Sequence, residues 1–294
     1  MYRNVTVGLD GSPESTAAAD WAAHEALLRD APLRLVHAWL WQQAYTYLPL
    51  AGAAVPPVDD QQEEWGLRLL RETAARIAER HPGLRVSADL IAEPTVTGLL
   101  AAAEDTDLLV LGSRGLGGVR GFLVGSVALA VVARAKAPLV LVRAGERAEE
   151  QPPTGDVVLG LDLEHPDATV IGFAFDAAAR RGGSLRVVHG WSLPPYYGYG
   201  GALDAGLNFE LDAHAQRGLA EVLRPWQEKF PGVETHRQVV VGSAAPHLVD
   251  ASRDAALVVV GRRSRRSPAG LHVGPVTQAV LHHAMAPVVV VPHD

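Results

Sequence analysis

In the first half of the chain, Gly112-Ser113-Arg114-Gly115 is followed by nine residues, 116–124, and then by Gly125-Ser126-Val127. The spacing is G-x2-G-x9-G-S, and its chemistry suits phosphate. Glycines take positive φ and let backbone N–H groups come close to an anion. A helix opening at Gly125 aims free N–H groups and the positive end of its dipole at whatever sits there. Ser126 adds a hydroxyl donor, and Arg114 and Arg120 offset part of the charge of a triphosphate. Asp10, in Asp10-Gly11-Ser12, follows a second strand-like segment and is placed for a ribose hydroxyl or an adenine amino group. Taken alone, the loop also reads as a flexible strand–helix connection, and Asp10 as a turn or cap residue. The combination is more specific than either part.

A second copy of the spacing occurs at Gly261-Arg262-Arg263-Ser264, residues 265–273, and Gly274-Pro275-Val276. Here Gly has become Ser264 and Ser has become Pro275. Pro275 is acceptable in a first helical turn but offers phosphate neither N–H nor hydroxyl. Asp162 repeats Asp10, yet the next two residues are Leu163 and Glu164, and Glu164 repels phosphate. Against this, Arg262, Arg263, Arg265 and Arg266 put four cations in the loop, and arginine binds phosphate well. One reading is a degraded site kept for architecture. The other is an altered site, built on Asp162, Gly261 and Gly274, in which arginines replace backbone contacts. Weak or altered binding is the reading adopted.

Other chemistries are excluded or weakly supported. The 26 basic residues comprise two lysines, Lys136 and Lys229, and 24 arginines. Neither lysine lies in GxxxxGK[ST], which excludes a Walker-type loop. With no cysteine there are no disulfides, thiol nucleophiles or cysteine-ligated metals. There is no HExxH and no GxSxG, and no metal-ligand set is assigned. A net charge of -7 argues against nucleic acid as a partner, the four loop arginines notwithstanding. His37 and His189 recur beside Trp39 and Trp191, which favours a structural role. His282 and His283 are adjacent and cannot share a helix face; His293 is read as merely terminal. The segments Trp41–Pro57 and Leu193–Asn208, rich in aromatics, fold over a ligand or form an interface patch.

The elements that must position these residues are written twice. Val5–Asp10 recurs as Val157–Asp162, and Leu33–Trp39 as Leu185–Trp191, both at an offset of 152. Leu108–Gly112 recurs as Leu257–Gly261, and Ala137–Val142 as Ala286–Val291, at an offset of 149. The period is half the chain, so each unit is a domain: residues 1–143 and 156–294, joined by a charged, proline-ended linker at 144–155. Strands are expected at 4–9, 33–39, 84–91, 107–112 and 138–143, with helices at 13–30, 59–80, 95–103 and 125–136. The second half repeats the strands near 156–161, 184–190, 235–241, 256–261 and 287–292. Near-continuous Val/Leu runs alternating with helices give an α/β fold of two tandem doubly wound domains, each with a parallel sheet flanked by helices. No apolar run approaches the ~20 residues of a membrane span, and no signal peptide is seen, so no membrane partner and a cytoplasmic address are expected.

These residues resemble the universal stress proteins in their tandem two-domain form, over essentially the whole chain. Gly112, Gly115, Gly125 and Ser126 match that family's ATP-binding signature, and Val7–Ser12 its first strand and acidic turn. The resemblance implies five strands per domain in the order 3-2-1-4-5. It also implies pairing of the last strands, 138–143 and 287–292, across the two domains as an internal pseudo-dimer, with homo-oligomers beyond it. It implies ATP, with a divalent ion such as Mg2+. Asp10 meets the nucleoside, Ala38 and Leu111 flank adenine, and Gly112, Gly115, Gly125, Ser126 and Val127 hold ribose and phosphates. The function expected is a nucleotide-dependent regulator of the stress response rather than an enzyme, since no general base can be named. A slow ATPase or phosphoryl or nucleotidyl transferase, an AMP or cyclic AMP binder, and a nucleotide-free scaffold are the alternatives.

Overall fold

The β-branched and leucine runs become strands whose side chains on both faces are buried, which only a sheet covered by helices on two sides can achieve. A computed structural model of the chain describes residues 4–39, 59–113, 124–144, 155–191, 205–263 and 273–294. The first half runs β1 (Asn4–Gly8), α1 (Pro13–Leu28), β2 (Leu33–Ala38), α2 (Asp59–Arg80), β3 (Val86–Ile91), α3 (Thr95–Glu104), β4 (Thr106–Gly112), α4 (Ser126–Val132) and β5 (Leu139–Val142). The second runs β6 (Val157–Gly160), α5 (Ala168–Arg181), β7 (Leu185–Trp191), α6 (Ala205–Lys229), β8 (Thr235–Val241), α7 (Ala245–Ala251), β9 (Leu257–Arg263), α8 (Pro275–His283) and β10 (Val288–His293). The linker residues 145–154 lie outside the described residues.

All the strands form one sheet in the order β3-β2-β1-β4-β5-β10-β9-β6-β7-β8. Each half therefore has the 3-2-1-4-5 order and is parallel throughout. The halves join where β5 and β10 pair antiparallel, with Leu139 opposite Val290, Val140 opposite Val289 and Leu141 opposite Val288. Val140 and Val289 are counterparts in the duplication, so a pseudo-two-fold axis passes between them. The pairing removes two sheet edges that would otherwise be exposed. Apolar residues of α1, α2, α5 and α6 cover one face, and those of α3, α4, α7 and α8 the other.

One helix departs from expectation. α4 ends at Val132 rather than running on to residue 136. Beyond its end, the carbonyls of Ala133 and Ala135 accept hydrogen bonds from the guanidinium of Arg262, in the other half. A partner 127 residues away in sequence thus holds the turn that follows this helix. Among the described residues, no helix is long and apolar enough to cross a membrane.

Candidate functional site

In each half the chain leaves β1 or β6 toward one side of the sheet and reaches β4 or β9 on the other. The carboxyl ends of these neighbouring strands thus open a crevice, the place where open α/β sheets take ligands. In the first half, Asp10 follows β1 and Gly112 ends β4. The backbone N–H of Ser12 donates to Asp10 Oδ1 at 3.0 Å, and the Ser12 hydroxyl donates to the same oxygen. Ser12 Oγ in turn accepts from the N–H of Ser15, capping α1, with Pro13 in the first turn. One carboxylate oxygen of Asp10 is therefore spent on the turn. Among the described residues the other has no hydrogen-bond partner.

Gly11 adopts φ +79°, and a Cβ there would lie 2.8 Å from Trp65 of α2. Trp65, which sequence reasoning passed over, also meets His37 edge-on, with ring centroids 5.3 Å apart. His37 Nδ1–H donates to the Leu9 carbonyl at 2.7 Å, and His189 Nδ1–H donates to that of Leu161 at 2.9 Å. Both rings are buried, and each ties the end of β2 or β7 to the strand beside it, which is the structural role expected of them.

The two described glycines of the loop signature, Gly112 and Gly125, have a different physical basis from the one expected. Gly112 does not take positive φ. A Cβ on it would lie 2.8 Å from the Glu14 backbone, so glycine lets the strand end pack on the first turn of α1. Gly125 is extended, at φ -66° and ψ 152°. The loop's ends are tied where Gly125 N–H donates to the Ser113 carbonyl at 2.8 Å. Ser126 and Val127 are exposed at the start of α4, a helix of 7 residues and so a smaller dipole than expected. Ala38 and Leu111 are buried against the α3 side of the sheet: Gly98 abuts Ala38, and Leu99 and Leu111 both crowd Gly8. Arg114, Gly115 and Arg120 lie outside the described residues.

In the second half the counterparts converge on one cavity of about 760 Å3. Asp162, Gly190, Val260, Gly261, Gly274 and Val276 all line it, matching Asp10, Ala38, Leu111, Gly112, Gly125 and Val127. The expectation that loop arginines stand ready for phosphate is corrected for the two that are described. Arg262 is buried and donates into the first half, as above. Burial pushes its pKa below the ordinary guanidinium value. Arg263 is paired with Asp162 at 3.0 Å. Ser264, Arg265 and Arg266 lie outside the described residues.

Several residues of this cavity were missed in the sequence. His293 lines it, because β10 runs further than β5 and carries Pro292 and His293 alongside Arg262 and Arg263. Asp167 lines it too, its Oδ1 accepting from the N–H groups of Thr169 and Val170 to cap α5, and its Oδ2 lying 3.8 Å from His293 Nδ1. The helix cap thus sits further along the chain than its counterpart Ser12. An Asp followed by a Thr before an apolar run is the cap signal that could have found it. The rings of His282 and His283 stand 6.3 Å apart, centroid to centroid. His282 Nδ1 accepts a long bond from Val124 N–H at 3.4 Å. Among the described residues, the carboxylate and imidazole groups of Asp162, Glu164 and His165 cluster within 4.8 Å of one another, but all three are exposed.

A family model described as the universal stress protein family matches residues 1–143 and again 154–292. A universal stress protein of Mycobacterium tuberculosis is 34% identical over 303 aligned residues, covering 97% of this chain and 96% of the relative. One from Mycolicibacterium smegmatis is 33% identical, covering 98% and 96%. Among solved structures, a universal stress protein from Archaeoglobus fulgidus superposes with a TM-score of 0.72 over 100% of both chains, at 17% identity.

Proposed function

The chain belongs to the universal stress protein family, and on that premise we propose that its first half binds ATP and uses occupancy to bias a conformation or partner surface. The observation that supports this best is the pairing of Asp10, with one carboxylate oxygen to spare, and a loop closed at Ser113–Gly125 on adjacent strand ends. In this reading Asp10 accepts from the nucleoside. Ala38 and Leu111 back the base, and Gly112, Arg114, Gly115, Gly125, Ser126 and Val127 surround ribose and phosphates. Mg2+ is read as held chiefly by the phosphates themselves, as this ion commonly is. No base is assigned to activate water, so the protein acts as a cytoplasmic regulator rather than an ATPase. A ligand that is not turned over shifts an equilibrium by its differential affinity for two states.

Calorimetry with ATP on the full chain tests this. Asp10→Asn keeps the shape of the turn and removes the charge, and its ATP affinity is expected to fall about 10–100-fold, the worth of one charged hydrogen bond. Unchanged affinity would remove Asp10 from the site. Turnover of radiolabelled ATP faster than about one per minute, abolished in the same variant, would replace regulation with catalysis.

A further inference from the structure

We propose that His282, in the second half, is a positioning residue for the nucleotide site of the first half, and that it holds the end of the signature loop only while its imidazole is neutral. The proposal rests on the reading of the first half as a nucleotide site. It makes that site incomplete without the other half of the chain.

The geometry starts at the seam, where β5 and β10 pair antiparallel and the end of α8 comes to lie beside the first half. Arg143, just past β5, donates to the carbonyls of Leu281 and His282, which fixes the backbone that carries the ring. The ring then reaches back: its Nδ1 accepts from the backbone N–H of Val124 at 3.4 Å. Val124 is buried, and its neighbour Gly125 closes the loop on the Ser113 carbonyl. Ser126, the hydroxyl of the signature, comes next. The end of α8 is thus tied to the first half at two points, just past β5 and just before α4. The duplication does not account for the second tie. The counterparts of Val124 and His282 are Val273 and Ala133, and alanine has no side-chain acceptor.

Nδ1 accepts a hydrogen bond only when the single proton of a neutral ring sits on Nε2. A second proton turns Nδ1 into a donor facing a donor, and the hold on Val124 is lost. The ionisable groups beside the ring are Arg143, on the carbonyl of His282 itself, and His283, whose ring centroid is 6.3 Å away. α4 carries no ionisable side chain. α7, packed against α8, carries His247 and Asp250, and Asp250 is paired with Arg253; among the described residues neither bonds to His282. A segment that is already held costs less to order when a ligand arrives. Releasing Val124 therefore weakens ATP binding without removing any group that touches the ligand.

Calorimetry of ATP binding to the full chain at about pH 8 and about pH 5.5 spans the range in which histidine titrates and tests this. His282→Leu removes the acceptor and is expected to weaken ATP about 3–10-fold at the higher pH, the scale of one ordering cost. His282→Asn sets an amide oxygen where Nδ1 stands and does not titrate, so it is expected to bind ATP as the parent does at the higher pH. At the lower pH the parent should bind about 3–10-fold more weakly than His282→Asn, a ratio from which protonation of ATP itself cancels. That ratio holds even where His282→Leu lowers the unfolding temperature. Unchanged affinity in His282→Leu, an Asn variant as weak as the Leu variant, or a parent-to-Asn ratio that does not move with pH would overturn the proposal and leave the first-half reading intact. A parent that binds no ATP at either pH would overturn both.

Discussion

Gly11 concentrates two constraints in one residue. Its φ of +79° is left-handed, and a side chain there would also press on Trp65. An L-residue in that conformation costs roughly 1–2 kcal/mol before any contact is counted. Gly11→Ala is therefore expected to destabilise the chain by about 2 kcal/mol in urea unfolding, the clash with the half-exposed Trp65 adding to the torsional term. It should also loosen the Asp10 turn and weaken ATP binding. Trp65→Ala in the same chain should recover the steric part and leave the torsional part. Full recovery would show that the backbone angle costs nothing. This residue was legible in the sequence as part of an acidic turn. Trp65 was not, because nothing in its local pattern distinguishes a helix residue that meets a strand-end turn from one that faces solvent.

At the scale of elements, each half closes a helix of the other. Arg262 in β9 donates to the carbonyls beyond α4, and Arg143, just past β5, donates to the carbonyls of Leu281 and His282 at the end of α8 at 2.9 and 2.6 Å. Positive charge at a helix C-terminus satisfies orphan carbonyls and opposes the dipole. The two arginines are not counterparts in the duplication: residue 113, the partner of 262, is serine, and residue 292, the partner of 143, is proline. The same end was thus achieved twice from different strand positions. The parallel α/β architecture followed from alternation of apolar runs with amphipathic ones, whereas the strand order came with the family resemblance. The role of Arg262 was not legible in the sequence, because four arginines in a loop look alike until one is buried. Arg262→Met keeps the bulk and removes the donors. It is expected to cost about 2–3 kcal/mol, since it leaves buried carbonyls unpaired. The loss should appear in thermal unfolding, and an Arg262 variant as stable as the parent would mean that water replaces the guanidinium.

The whole molecule is a near-two-fold object, and its departures from symmetry carry the most information. Arg29 and Arg181 are counterparts, as are Trp21 and Phe173. Across the axis Arg29 lies over Phe173, 5.3 Å from its centroid, and Arg181 over Trp21 at 5.9 Å. Both arginines converge on one acid, Glu25, whose counterpart is Ala177; Glu25 is 1% exposed and bonds Arg29 at 2.6 Å, with Arg181 on its other oxygen. A single carboxylate thus bridges two cations at the seam between α1 and α5. That arrangement could not be read from the repeat, since it depends on a position where the copies differ. Breaking a buried pair by removing one partner costs about 3–5 kcal/mol, because the remaining charge stays buried. Glu25→Ala strands two such cations and is expected to lower stability by at least about that amount. Removing one of the cations as well separates charge from packing. In Glu25→Ala with Arg181→Leu, part of the loss should return, because one stranded cation is gone and an apolar group takes its place against Trp21. A double-mutant cycle in guanidinium chloride measures that coupling. Strict additivity of the two losses would mean that the seam is held by the β5–β10 pairing and apolar packing alone, with Glu25 a bystander.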